Sequence, residues 1–181
     1  MFTGYGKGKL LFGVLLSILL LGWAETSLAS VPKGAVTMSD KVRHQLVMLP
    51  YYGVFDNLAF TIEDSNSIVL KGQVTRPVLK SDAEAVVRKI EGVGKVVNKI
   101  EVLPLSPFDD CIRRATYRAI FSRPGFEKYA IQAVSPIRII VKNGNITLEG
   151  VVGSQFDKTM AEIAARSVPG AFEVTDNLTI A

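Results

Sequence analysis

The chain has one cysteine, one histidine and one tryptophan in 181 residues. A lone Cys111 cannot staple the fold internally, so the fold must hold by packing. One Cys and one His, Cys111 and His44, cannot make a zinc site, and no motif pairs them for catalysis. Carboxylates are plentiful but form no paired constellation that repeats. Charge of one sign is also scarce. Lys plus Arg number 21 against 17 Asp plus Glu, a net charge of +4, too little to indicate nucleic acid. These absences argue against an enzyme, a metal protein or a nucleic-acid binder, and they imply no cofactor.

The N-terminus has export chemistry. Lys7 and Lys9 precede the apolar run Leu10 to Leu21, and Ser27-Leu28-Ala29 offers small residues for cleavage after Ala29. This is the secretory signal pattern, assigned to residues 1–29. The run is about 12 residues, short of the roughly 20 that span a bilayer. Extension through Gly22, Trp23 and Ala24 leaves an uncleaved anchor as the alternative. No Cys lies near the cleavage point to carry a lipid anchor. Removing two lysines and Glu25 with the signal leaves the mature chain mildly basic.

What remains says the same thing twice. Ser67–Val102 aligns without a gap on Asn145–Ile180, at the shift that sets Gly72 against Gly150. Roughly ten of about 36 pairs are identical, too many for unrelated stretches. They include Ile68/Ile146, Leu70/Leu148, Val74/Val152, Ala83/Ala161, Glu84/Glu162, Arg88/Arg166, Gly92/Gly170 and Val96/Val174. A duplicated small domain points to a binding or scaffolding module.

Each copy reads as αββαβ. In the first, Val42, Leu46 and Leu49 recur at helical spacing, with Ser39 or Asp40 as cap. Leu58, Phe60 and Ile62 alternate as a strand, Glu63 to Ser67 turns, and Ile68, Leu70 and Val74 return as its antiparallel partner. Ala83, Val86, Val87 and Ile90 form one helical face, capped by Ser81 and stopped by Gly92. Val96, Ile100 and Val102 close the sheet, parallel to the strand before the crossover helix. In the second, Ile112, Ala115, Ala119 and Ile120 mark the first helix, and Asn143-Gly144 is a hairpin turn signal. Ala161, Ala164, Ala165 and Val168 repeat the second helical face. The expectation is an α+β protein of two tandem αββαβ domains, each a three-stranded mixed sheet with two helices packed on one face. Domain 1 spans 37–103, a Pro-containing linker 104–107, and domain 2 108–181. The second copy has about eight extra residues around Arg123 to Ser135, one place where the copies could differ in function.

The motifs Leu70-Lys71-Gly72-Gln73-Val74, Ala83-Glu84, Gly92-Val93 and Val96-Val97-Asn98-Lys99-Ile100 together resemble the BON domain. The second copy carries Leu148-Glu149-Gly150-Val151-Val152, Ala161-Glu162, Gly170 and Val174 to Leu178, with Asp176 in place of Asn98. The resemblance covers nearly all of the mature chain. It implies a non-enzymatic periplasmic or envelope protein, binding anionic phospholipid surfaces and supporting outer-membrane integrity or osmotic stress tolerance. It carries over no catalytic residues.

The best candidate surface is the first helix of the second copy. Arg113, Arg114, Arg118 and Arg123 lie within about three turns, with Tyr117, Phe121 and Phe126 among them. Arg114, Arg118 and Phe121 share a face at i, i+4, i+7 spacing. Guanidinium groups fork onto phosphate, and aromatics settle at lipid interfaces. The alternative is a solvated face whose aromatics belong to the core. Gly72, Gly92, Gly150 and Gly170 read as structural, and Gly92-Val93-Gly94 follows a helix instead of opening one, so it is no phosphate loop. Tyr51, Tyr52 and Phe55 read as packing or inter-domain contacts, His44 as solvated and Cys111 as a small buried side chain. A second function remains open: an adaptor for envelope proteins, using the sheet edges and the Tyr51–Phe55 surface.

Overall fold

A computed structural model of the chain describes residues 36–63 and 66–181. Residues 1–29, read as a signal, and Asp64 and Ser65, within the stretch read as a turn, lie outside the described residues. Among those described, no helix is long and apolar enough to cross a membrane.

In the first copy, α1 (Met38–Val47) leads to the strands β1 (Asn57–Ile62) and β2 (Ser67–Val74). Helix α2 (Pro77–Arg88) then crosses over to β3 (Lys95–Asn98) and β4 (Glu101–Val102). β1 runs antiparallel to β2, with Phe60 opposite Leu70, and both β3 and β4 run parallel to β2. β3 and β4 are one predicted strand, interrupted at Lys99-Ile100. There the Asn98 carboxamide accepts the Ile100 amide at 3.1 Å and donates to the Lys80 carbonyl at 2.8 Å. The sheet is thus three strands wide.

Both helix starts in this copy differ from the sequence reading. Thr37, and not Ser39 or Asp40, caps α1; Asp40 is its capping-box partner, returning a bond to the Thr37 amide at 3.1 Å. Helix α2 begins at Pro77, four positions before Ser81. Proline's fixed φ suits the first helical position, where its missing N–H leaves nothing unsatisfied. Ser81 lies inside the helix and bonds back to the Val78 carbonyl at 2.9 Å.

The second copy contains α3 (Pro107–Phe121), the short α4 (Glu127–Ala130), β5 (Ile137–Lys142), β6 (Asn145–Val152), α5 (Gln155–Arg166) and β7 (Glu173–Ile180). Ser106 caps α3, so Pro107, assigned to the linker, is its first residue. β5 and β6 are antiparallel around Asn143 (φ 52°) and Gly144 (φ 79°), the left-handed pair that a two-residue turn requires. β7 pairs parallel to β6 without a break. Asp176 keeps one function of Asn98, accepting the Leu178 amide at 2.9 Å. A carboxylate cannot donate as Asn98 does to the Lys80 carbonyl; here the Lys158 ammonium instead lies 3.9 Å from Asp176 and donates to the Leu178 carbonyl at 2.6 Å.

Each copy has its own core. Ile68, Leu70, Leu79, Ala83 and Val87 anchor the first; Ile120, Ile137, Ile146, Leu148, Ala161 and Ala165 anchor the second. Val54 and Phe55, from the loop after α1, pack on the second core. The same loop covers the edge of β5: the Ile139 amide donates to the Val54 carbonyl at 2.8 Å, and Arg138 Nη1 to the Gly53 carbonyl at 2.8 Å. The inter-domain reading thus holds for Tyr52 and Phe55. Arg138 lies over the Tyr52 ring at 4.4 Å. Tyr51 instead stays 67% exposed beneath Arg76.

The extra residues of the second copy are tied to α5. Tyr129 donates to Asp157 at 2.7 Å and accepts the Gly153 amide at 2.8 Å, while Lys128 reaches the same carboxylate at 2.9 Å. The Tyr129 hydroxyl, then Lys128, hold the Asp157 carboxyl below its ordinary range. A depressed folded pKa contributes stability above the unfolded value of 3.8, lost as pH falls from there through the folded value. The expected result is a stability difference between wild type and Asp157→Asn that is full at pH 6 and shrinks below pH about 4. Urea midpoints across that range measure it; a difference independent of pH would remove Asp157 as the cause.

Candidate functional site

Helix α3 owes its amphipathic form to a stripe that the structure buries: Ile112, Thr116 and Ile120 face the core, with Asp109 at the start. Arg114, Tyr117 and Arg118 lie on the opposite, exposed side. These three of the six residues singled out in the sequence share a surface. The other three do not. Arg113 is 4% exposed, pairing with Asp110 and donating to the Val141 carbonyl at 2.6 Å. It fastens α3 to β5 and cannot reach a ligand outside. Phe121 is 8% exposed, stacked on Tyr117 with centroids 4.7 Å apart. Its helical angle matches that of Arg114, but residues 52–54 and 130–135 gather over that end of the helix. Arg123 is half-buried in the turn after α3. Phe126 and Tyr129 are core.

Around the exposed three, the first copy contributes. Phe55 meets the Tyr117 ring edge-on at 6.3 Å. Val54, Phe55, Arg114, Tyr117 and Arg118 line a shallow depression of about 370 Å³. A neighbouring one of about 350 Å³ shares Phe55 and Arg114 and adds Arg76 and Leu105, the latter 95% exposed. Among the described residues, Arg76, Arg114 and Arg118 face no carboxylate within 4.0 Å. Cys111, read as buried, is exposed, with its sulfur 3.6 Å from Arg114 Nη2. Seven positions before Arg118, it shares the exposed arginine face of the helix.

At the start of α3 lies a second exposed apolar feature. Phe108 (51% exposed) and Phe172 (77% exposed) approach with centroids 6.3 Å apart beside the Asn143-Gly144 turn. The sequence reading missed both, together with Arg76 and Leu105. A signal existed for Phe172, which stands where the first copy has Gly94. The others carry no local signal, because their surroundings come from distant parts of the chain.

Gly92 and Gly170 take φ 91° and 86° in the turns after α2 and α5. His44 is exposed on α1. No group of three potential metal ligands occurs among the described residues.

Two segments, residues 37–104 and 126–181, match the BON domain model. The chain belongs to the BON domain family. Family membership makes this a tandem module of a periplasmic or membrane-associated, generally non-catalytic class. The second matched segment starts after α3, so the helix with the arginine face lies outside both BON matches. No curated protein matches the chain. Among solved structures it is similar to CdsD, a structural protein of the type III secretion system of Chlamydia trachomatis. The identity is 12% and the TM-score 0.30, over 80% of this chain and 93% of that one. The C-terminal domain of CdsD matches at 10% identity and TM-score 0.27, covering 78% and 96%. Superpositions this loose say nothing of shared partners.

Proposed function

We propose that this tandem BON protein is an exported, non-enzymatic module that rests on anionic phospholipid in the periplasm and thereby supports outer-membrane integrity or osmotic stress tolerance. The observation that carries the reading is the exposed face of α3: two arginines flanking Tyr117, extended by Arg76, Phe55 and Leu105, with no carboxylate within 4.0 Å of the three arginines among the described residues; Asp110, which lines the same depression, pairs with Arg113. Arginine forks onto phosphate oxygens while aromatic and aliphatic side chains enter the interfacial layer. Each basic residue near an anionic surface contributes on the order of 1 kcal/mol, so three give weak, salt-sensitive attachment. Phe108 and Phe172 supply further apolar contact at the start of the same helix.

Co-sedimentation tests it. Protein recovered from the envelope fraction is mixed with vesicles of neutral phospholipid, or of neutral lipid with phosphatidylglycerol, across a salt series. Binding should require the anionic lipid and weaken with salt. Arg114→Glu with Arg118→Glu should lower the partition coefficient at least about thirty-fold at low salt. Undiminished binding by the double variant would remove α3 as the site. No binding by wild type at low salt would remove the lipid reading itself.

A further inference from the structure

We infer that the groove between α1 and the open edge of β1 receives the extended C-terminal end of another protein, added as an antiparallel strand, with its terminal carboxylate held by Arg138. This site is separate from the α3 face and stands independently of the lipid reading.

The first observation is an unpaired strand edge. Asn57, Ala59 and Thr61 alternate with Leu58, Phe60 and Ile62 along β1, and only one set can bond to β2. The Leu58 amide turns away from β2, reaching the Tyr52 hydroxyl at 3.4 Å. The Glu63 amide, of the opposite set, bonds to the Ser67 carbonyl at 3.0 Å. Phe60 and Ile62 therefore direct their amides and carbonyls outward with Leu58. Among the described residues those of Phe60 and Ile62 meet no partner. Such an edge is a template for another strand. The corresponding edge in the second copy, β5, is covered by the Val54 loop.

The second observation is charge. A groove of about 480 Å³ runs along this edge, lined by Arg43, Leu46, Tyr52, Phe60, Val134 and Arg138 among others, and no lining residue is acidic. Asp40, nearest in sequence to Arg43, is committed to the Thr37 cap. Arg138 is 7% exposed. Its acceptor among the described side chains and backbone is the Gly53 carbonyl alone, and no carboxylate lies within 4.0 Å. A largely buried guanidinium with spare donors at a groove end fits a carboxylate. Position selects the terminal one. Tyr52 contacts both Leu58, at the start of β1, and Arg138. A strand running antiparallel to β1 ends beside its start, where Arg138 and Val134 of the second copy meet the groove.

Selection of random heptapeptides displayed with free C-termini on the envelope-purified chain tests this. Enriched sequences are resynthesised with free and amidated ends and titrated by fluorescence anisotropy. The free acid should bind about ten-fold tighter than the amide or more, the worth of one charge-assisted pairing. Exposed Arg43→Glu should weaken it about as much. Arg138→Gln should abolish the preference for the free end, provided its circular dichroism matches wild type; Arg43→Glu and the amide carry the test if it misfolds. Bound peptide should slow hydrogen exchange at the Phe60 and Ile62 amides. No enrichment, equal affinity of the amide, or protection elsewhere would each overturn the assignment. Self-association that protects those same amides without peptide would assign the edge to a second copy and overturn it too.

Discussion

Replacing Gly150 with Ala should remove about half the stability of the second domain or more. A Cβ at this position would sit 1.9 Å from the Pro136 carbonyl oxygen and 3.0 Å from its carbon. Those are backbone atoms of the neighbouring strand, and they cannot swing aside as a side-chain end can. The same oxygen accepts the Val151 amide at 3.0 Å, so moving it breaks a bond of the sheet. The backbone at φ 123° is also unfavourable to any side chain. Together the overlap and the strain should cost on the order of 4 kcal/mol. A domain of this size has only about 4 to 10 kcal/mol in total. Gly72 repeats the geometry, with φ 114° and 2.0 Å to the Asn57 carbonyl oxygen, so Gly72→Ala should do the same to the first domain. Gly125 provides the control. It takes φ 88° but would meet nothing within 4 Å, so Gly125→Ala isolates the torsional part, about 1 kcal/mol. Urea unfolding distinguishes them. A loss at Gly150 no larger than at Gly125 would mean that the strands separate easily, and the shared glycine would need another explanation.

Gly72 and Gly150 also show what was legible in the sequence. Their alignment, and the alternation of Ile68, Leu70 and Val74 against Ile146, Leu148 and Val152, sufficed for the order of elements and the pairing of strands. Local chemistry was read less well. Ser39 and Asp40 are both competent caps for α1, yet Thr37 takes the position; a choice among adjacent polar residues depends on where the incoming chain is extended. Arg76 ends up as the N-cap of α2 with no side-chain bond at all, because Pro77 presets the first turn. The candidate site was half legible. Periodicity gives a residue's angle around α3 but not what lies over that angle. Arg114 and Phe121 have nearly the same angle, and only Phe121 is roofed, by segments from residues 52–54 and 130–135. Arg113, one position from Arg114, is drawn inside by the Val141 carbonyl. Arg76, Phe55 and Arg138 acquire their surroundings from the other copy. No window of sequence contains both partners.

Asp109→Ala should be the most damaging change at the start of α3. This carboxylate is 1% exposed. One oxygen accepts the Asn143 amide at 3.0 Å and the other the Gly144 amide at 2.8 Å. It thereby fastens the first turn of α3 to the tip of the β5–β6 hairpin. Its charge also suits a helix N-terminus. Alanine leaves both amides without acceptors, and a bond to a charged acceptor is worth about 1.5 to 3 kcal/mol, so the loss should be on the order of 3 to 5 kcal/mol. Asn keeps the shape but offers one acceptor oxygen and turns an NH₂ group toward the second amide. It should fall between wild type and Ala, with the hairpin amides exchanging faster than those of α5. Equal stability of Ala and Asn would mean that the bonds matter less than the helix-end charge. The change also tests whether this end of the molecule meets lipid. Phe108 precedes Asp109, and Phe172 stacks on it over Gly144, so the carboxylate holds the turn beneath both rings. In Asp109→Asn at a temperature where the fold persists, vesicle binding that weakens with the hairpin would place Phe108 and Phe172 in the contact. Binding that survives would confine the contact to Arg114, Tyr117 and Arg118, which do not depend on the hairpin tip.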